Sequence, residues 1–212
     1  MATIKKGIMG ALSGTVGPVV GATWKNIPYV RIKAVKHDKK RPPSPAQLAN
    51  QQKFKFMNVW LEPFHPYVTI GFANLSAGRT ELNTAFKINY HEALETTANG
   101  LAINYERVCL SRGNLSGLIL AQAERIQPNT IVLNWNQQGG ITAYNDQLML
   151  VVYSPVLKLA DGCIGLAKRS DGKLNFTFNP KLGGQRLELY LSMVSLNRKR
   201  VSNSQYLGRM EP

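Results

Sequence analysis

Residues 187–196 read Leu-Glu-Leu-Tyr-Leu-Ser-Met-Val-Ser-Leu, and their alternation decides the fold class. Leu187, Leu189 and Leu191 fall on one side of an extended chain, because successive strand side chains point to opposite faces. Phe176 and Phe178 alternate in the same way within LNFTF (174–178). Similar runs recur beyond residue 101: INYERVCL (103–110), TIVLNW (130–135), QLMLVVYS (147–154), CIGLAK (163–168) and SNSQYLG (202–208). Turn-forming groups stand between them at Arg112-Gly113-Asn114, Gln138-Gly139-Gly140, Asp161-Gly162, Asp171-Gly172 and Gly183-Gly184. About seven short strands broken by turns every 8–15 residues or so make the pattern of an all-β sandwich. Trp135 sits in a central run and is expected in the core. The pattern predicts an immunoglobulin-like sandwich over 101–212 that folds by itself.

Upstream the period changes. Ser44 precedes Pro45 and stands three residues before Gln47, which is an S-x-x-Q capping box with proline at the first helical position. Ala49, Phe56, Val59 and Trp60 share roughly one helical face, and Pro63 ends the helix. A second helix starts at Thr80 as N-cap with Glu81 in its first turn. Leu82, Ala85, Phe86, Tyr90 and Ala93 give it an apolar side, and Asn99-Gly100 closes it. The expected class is therefore α+β. Basic strands and two helices occupy residues 1–100, and the all-β domain occupies 101–212.

The first 35 residues admit two readings. Glycines at 7, 10, 14, 17 and 21 would line one face of a helix. Five glycines and the internal Pro18 argue against that helix. The favoured reading is strands at Gly14–Gly17, Val19–Trp24 and Tyr29–Val35. Tyr29, Arg31 and Lys33 alternate with Val30, Ile32 and Ala34, as in a strand with one polar face. VKHDKKRPPSP (35–45) then reads as an extended link.

Charge is the outlier of the composition. There are 26 Lys+Arg against 12 Asp+Glu, giving +14, while hydrophobic content of 44% excludes wholesale disorder. Residues 1–60 carry eleven basic groups and only Asp38 as an acid, a net of +10. Residues 61–100 are net −2, and 101–212 net +6. So uneven a distribution points to an anionic partner or to an acidic face of another subunit. Cys109 and Cys163 read as buried thiols in strands, without ligand spacing. The run from Gly7 to Thr23 is too broken by glycine for a signal peptide, and no stretch suffices for a membrane span. The expectation is synthesis in the cytoplasm, with assembly into a particle or filament.

Two stretches carry a resemblance. SGTVGPVVGATWKNIPYVR (13–31) and PPSPAQLANQQKF (42–54) resemble an uncharacterised family of Bacteroidota proteins. Its members open with S-G-x-V-G-P-V-V-G-x-x-W-K-G, continue with a P-R-T-x-A-Q-type helix start, and end in V-S-N-S-x-Y. Val201-Ser202-Asn203-Ser204-Gln205-Tyr206 matches that tail. The chain departs at Asn26, where the family tends to have glycine, and at Pro42-Pro43-Ser44. The resemblance implies no activity. Similar openings in phage-associated proteins favour a structural role.

No constellation of catalytic residues stands out. His37 lies in the link, His65 between prolines, and His91 lacks an HExxH partner, so no metal site is expected. Walker A, GxGxxG and GxSxG patterns are absent from the sequence. Glu92 and Glu95 read as a solvated helix surface. No catalytic residue, cofactor or metal is assigned, and the chain is expected not to be an enzyme. The candidate binding residues are Trp24, Lys25, Tyr29, Arg31, Lys33, Lys36, Lys39, Lys40 and Arg41, which interleave rings and cations. Two functions fit them. One is a self-associating structural protein, a homo-oligomer whose glycine-rich strands and basic arm make subunit contacts. The other is a nucleic-acid-binding protein, with cations on phosphate and rings on bases. Arg198-Lys199-Arg200 reads as a charged hairpin turn.

Overall fold

In a computed structural model the described residues are 3–4, 10–35, 42–75, 78–98, 100–136 and 145–212. The chain divides into two compact units, Met1–Gln47 and Leu48–Pro212. Among the described residues the second unit holds two larger antiparallel sheets and a two-stranded hairpin. One runs β10-β9-β12-β13 and the other β11-β8-β7. Their strands are β7 (Ile119–Gln127), β8 (Thr130–Asn136), β9 (Gln147–Ser154), β10 (Leu159–Lys168), β11 (Lys173–Thr177), β12 (Leu187–Val194) and β13 (Gln205–Met210). The α+β class expected from sequence holds.

Alternation places the core. Leu187, Leu189 and Leu191 join Leu148, Leu150 and Val152 of β9, and meet Ile131, Leu133 and Trp135 of β8 in one buried cluster. The opposite face of β9 and β12 does not meet water. Met149, Val151, Tyr153 and Tyr190 pack in a second cluster with Met57, Trp60, Leu61, Phe64 and Val68. Every residue of β12 is buried, Glu188, Tyr190 and Ser192 included. Glu188 avoids the cost of an unpaired buried charge. Its carboxylate accepts from Arg209 Nε at 3.0 Å and from the Tyr206 hydroxyl, and register sets Arg209 opposite it. Burial, then Glu188, raises the Tyr206 pKa, so the phenol stays a donor.

The helical face comes from α1 (Pro45–Leu61), the short α2 (His65–Gly71) and α3 (Glu81–Glu92). The capping box at the start of α1 is closed in both directions. Gln47 N–H donates to Ser44 Oγ at 3.3 Å, and Ser44 N–H donates to Gln47 Oε1 at 2.8 Å. Thr80 Oγ1 caps α3 by accepting from Asn83 N–H. The helix after Pro63, α2, was not expected. Nor does α3 run to residue 99: it ends at Glu92, and β5 (Leu94–Thr97) pairs with β6 (Gly100–Ile103). Gly100 has φ of 115°, a conformation suited to a hairpin and costly for other residues.

Three further readings are corrected. Of residues 103–110 only Ile103 is in a strand, as the end of β6, and a 3₁₀ turn (Tyr105–Arg107) and extended chain follow it. Their backbone bonds go elsewhere: buried Asn89 accepts from Cys109 N–H and donates to Cys109 C=O, both at 2.8 Å. Strand β7 was overlooked. Asp161-Gly162 lies inside β10 rather than in a turn, paired with Val152 and Val151 of β9, and its glycine is a matter of space, since a Cβ there would lie 2.1 Å from the Leu150 carbonyl oxygen. Arg198-Lys199-Arg200 does sit in the exposed turn between β12 and β13. Gln138-Gly139-Gly140 lies outside the described residues.

The V-S-N-S-x-Y tail has a structural task. Ser204 Oγ accepts from Leu110 N–H, Asn203 Oδ1 from Gly113 N–H and Ser202 Oγ from Met193 N–H. These bonds hold 110–113 against the end of β12. A Cβ on Gly113 would stand 2.3 Å from the Val201 carbonyl oxygen. Farther along, Arg169 is buried and donates to Ser116 C=O at 2.6 Å and Gly117 C=O at 2.9 Å, while its own carbonyl accepts from Trp135 Nε1.

The unit boundary thus falls at 47/48 and not at 100/101, because helices and sheets share one core. Residues 48–212 are expected to melt cooperatively when expressed alone. Residues 101–212, stripped of Met57, Trp60, Phe64 and Val68, are expected to show no cooperative transition. Circular dichroism melts of both fragments check this, and a cooperative 101–212 would restore the earlier boundary. Ser44→Ala is expected to cost about 1 kcal/mol through loss of the cap, read as a lowered melting midpoint of the full chain.

Candidate interaction surface

The first unit is an antiparallel sheet in the order β1-β2-β3-β4. Its strands are β1 (Thr3–Ile4), β2 (Leu12–Val16), β3 (Val19–Trp24) and β4 (Ile27–Ile32). The strand reading of the glycine-rich segment is therefore the right one. Two-residue turns join β2 to β3 and β3 to β4. Gly17 opens the first with φ of 53°, and Pro18 follows with the negative φ its ring imposes. Lys25 and Asn26 form the second, with φ of 46° and 64°. Positive φ at both central positions is the demand of a type I′ turn, which asparagine and glycine meet best. Asn26 meets that demand.

Register assigns the faces. Trp24 pairs with Ile27, Ala22 with Tyr29 and Val20 with Arg31, so Val20, Ala22, Trp24, Ile27, Tyr29 and Arg31 share one face. Val16 pairs with Val19, Gly21 with Val30, and Val19 with Ile32. These residues, with Leu12, form an opposite face that carries no charge. β2 bends at Gly14, whose φ is 105°, and brings its Leu12 end over Gly21. A Cβ on Gly21 would lie 2.3 Å from the Leu12 carbonyl oxygen, so only glycine fits there.

Both faces are open. Among the described residues of this unit only Gly21 is buried. On the uncharged face Val30 is 62% and Ile32 79% exposed. On the other, Trp24, Ile27 and Tyr29 surround a shallow recess of about 370 Å³, and Lys25 Nζ lies 5.6 Å from the Trp24 ring centre. Trp24 and Tyr29 are thus not core aromatics. Lys33 N–H donates to the Pro18 carbonyl at 2.7 Å. Of the residues singled out by sequence, Trp24, Tyr29 and Arg31 come together on one face, with Lys25 at its turn and Lys33 just past its last strand. Lys36, Lys39, Lys40 and Arg41 lie outside the described residues, as does His37. The uncharged face is what the list of cations and rings passed over, although alternation of Val30 and Ile32 with Tyr29 and Arg31 signalled it.

Elsewhere, Glu92 and Glu95 are engaged. Glu92 accepts two bonds from Arg112, and Glu95 lies on β5, accepting from Asn104 at 2.8 Å. Cys109 and Cys163 are buried free thiols in separate clusters, and burial raises both pKa values, that of Cys163 to about 11. Cys163 lies in β10, whereas Cys109 lies in extended chain. Among the described residues no three His, Cys, Asp or Glu side chains are placed to hold a metal, and no helix is long and apolar enough to cross a membrane.

No curated protein matches this sequence. Residues 11–208 match a family described as a Family of unknown function (DUF6266), a span that runs from just before β2 to within β13. The chain belongs to that family, DUF6266.

Proposed function

We propose that this chain is a non-enzymatic structural or assembly protein that self-associates through its N-terminal sheet, as a subunit of a filament, shell or phage-like particle. The observation that carries the reading is the uncharged face on which Val16, Val30 and Ile32 are exposed and Leu12 and Val19 half-buried. A few short strands with no buried side face are marginal by themselves, and contiguous exposed apolar surface marks an interaction site. A second copy of the same sheet suits this face, because two uncharged surfaces pack without desolvating a charge. Strand β4, at the end of the sheet, offers a further route by strand addition. Charge pairing between the basic segment and Glu92 or Glu95 of a neighbour has less support, since both carboxylates already have partners.

We further infer that the two sheets of the second unit form an immunoglobulin-like sandwich. In its support, β7, β8 and β11 fall on one sheet and β9, β10, β12 and β13 on the other. Three connections therefore cross between sheets, as Greek-key sandwiches require.

Light scattering on the full chain, at low and high salt, tests the assembly reading. The wild type is expected to be oligomeric, and Val30→Lys with Ile32→Glu monomeric with an unchanged far-ultraviolet spectrum. A wild-type chain that is monomeric at high concentration and low salt overturns it.

A second reading has its own observation: Trp24, Tyr29 and Arg31 share the other face, next to the Lys25 turn. That is an arrangement for stacking bases and neutralising phosphates. Single-stranded nucleic acid would then bind with an affinity falling steeply with salt. Charge reversal at Lys36, Lys39, Lys40 and Arg41 would weaken it. Filter binding across a salt series decides, and salt-independent or absent binding rejects this reading.

A further inference from the structure

The second unit contains a cleft that neither reading uses. It lies between α1, the β6 strand and the end of β9, and measures about 580 Å³. That is within the range of pockets that hold small organic molecules, roughly 300–1,000 Å³. Phe56 and Val59 line it from α1, and Ile103 from β6. Trp60 and Tyr153 are its most deeply buried lining residues, 7% and 2% exposed, with their rings edge-to-face. Lys55 and Lys158 are exposed and belong to its rim. No carboxylate belongs to the lining, so the rim is cationic without internal compensation.

Two further features belong to the wall of this cleft. Trp60 is buried, yet its Nε1 donor has no hydrogen-bond partner, which is costly for a native side chain. Lys158 holds a left-handed backbone, φ 53°, in the turn after β9, a conformation unfavourable for lysine. The cleft wall is also the outer edge of the core that joins helices to sheet, so its shape is fixed by packing rather than by a loose loop.

We propose that this cleft binds a hydrophobic acid, with an apolar body against Phe56, Val59 and Ile103 and a carboxylate facing Lys55 and Lys158. The two halves of the ligand follow from the two halves of the site. Apolar walls with a few polar groups at one end fix orientation, and two cations around an apolar hollow favour an anionic head over a neutral or cationic one. Lysine suits a single, solvated carboxylate as a point charge.

Titration calorimetry on the full chain tests the proposal with three probes of one chain length: decanoate, decanol and decyltrimethylammonium. Decanoate is expected to bind saturably at one site per chain, decanol more weakly, and the cation not at all. Lys55→Glu with Lys158→Asn is expected to weaken decanoate about tenfold or more and leave decanol unchanged. Both substitutions are at exposed positions, and asparagine tolerates the backbone at 158. Val59→Trp, which fills the cleft from a half-exposed position, is expected to abolish binding of both probes while the melting midpoint stays within a few degrees. Absence of saturable decanoate binding overturns the proposal. So does decanoate binding that survives Val59→Trp, since the ligand would then sit elsewhere, for instance at the Trp24 recess. Decanol binding as tightly as decanoate, or an unchanged decanoate affinity in the lysine variant, overturns the assignment of an acid.

Discussion

Two central strands, β9 and β12, are buried on both faces, and the rest of the second unit is arranged around that constraint. Their inner face packs against β8 and β11, and their outer face against α1 and α2. A strand enclosed in this way cannot relieve a polar side chain by pointing it to water. Glu188 must therefore find Arg209 and Tyr206 on the neighbouring strand, and Tyr190 must reach the Tyr105 carbonyl, at 2.9 Å. The same enclosure explains why helices and sheets form one unit. Separating them would expose Met149, Val151, Tyr153 and Tyr190 together, and each large apolar side chain contributes about 1.5–3 kcal/mol on burial.

Local chemistry made some of this fold legible. QLMLVVYS is nearly all apolar and could only be a doubly buried strand or a buried helix. Its β-branched pair and short length favoured the strand. Ser44-Pro45-Ala46-Gln47 announced the start of α1 through side-chain chemistry confined to four residues. Elsewhere the deciding partner was distant in sequence. Ala-Gln-Ala-Glu-Arg-Ile-Gln of β7 consists mostly of good helix formers, and it is a strand because β8 pairs with it. INYERVCL has a strand-like composition, but Asn89, Tyr190 and Ser204 take its backbone groups instead of a neighbouring strand. Gly100, read as a helix stop, instead opens β6 with a positive φ, and alternation of Leu101 and Ile103 with Ala102 and Asn104 signalled the strand.

Legibility of the candidate sites divides along the same line. The N-terminal sheet is a meander of adjacent strands, so pairing partners are near neighbours and the two faces follow from the period of two. Trp24, Tyr29 and Arg31 could be grouped from sequence for that reason. The cleft could not. Its walls come from residues 56, 103 and 153, brought together only by the packing of α1 on the sheet. The one local trace was Trp60 on the apolar face of α1, and a tryptophan there reads as core until its indole N–H is seen to lack a partner.

The two units solve the problem of apolar surface in opposite ways. The second encloses a core, to the point of burying a carboxylate, although Ile119, Leu120 and Leu166 stay exposed. The first displays its apolar surface, on strands whose turns and bends are nonetheless tightly specified by Gly14, Gly17, Gly21 and Asn26. A sequence that merely failed to fold would not need a glycine under the Leu12 carbonyl or a positive-φ pair at residues 25 and 26. Specified backbone geometry together with an uncharged face that is largely unburied is what the proposal of a partner for this sheet rests on. If that partner is another copy, order in this sheet is linked to assembly by mass action, so its apparent stability rises with protein concentration. The second unit, with its own closed core, has no such dependence. On that proposal, association begins only when the concentration of the first unit is high enough to offset the entropy of ordering and docking it.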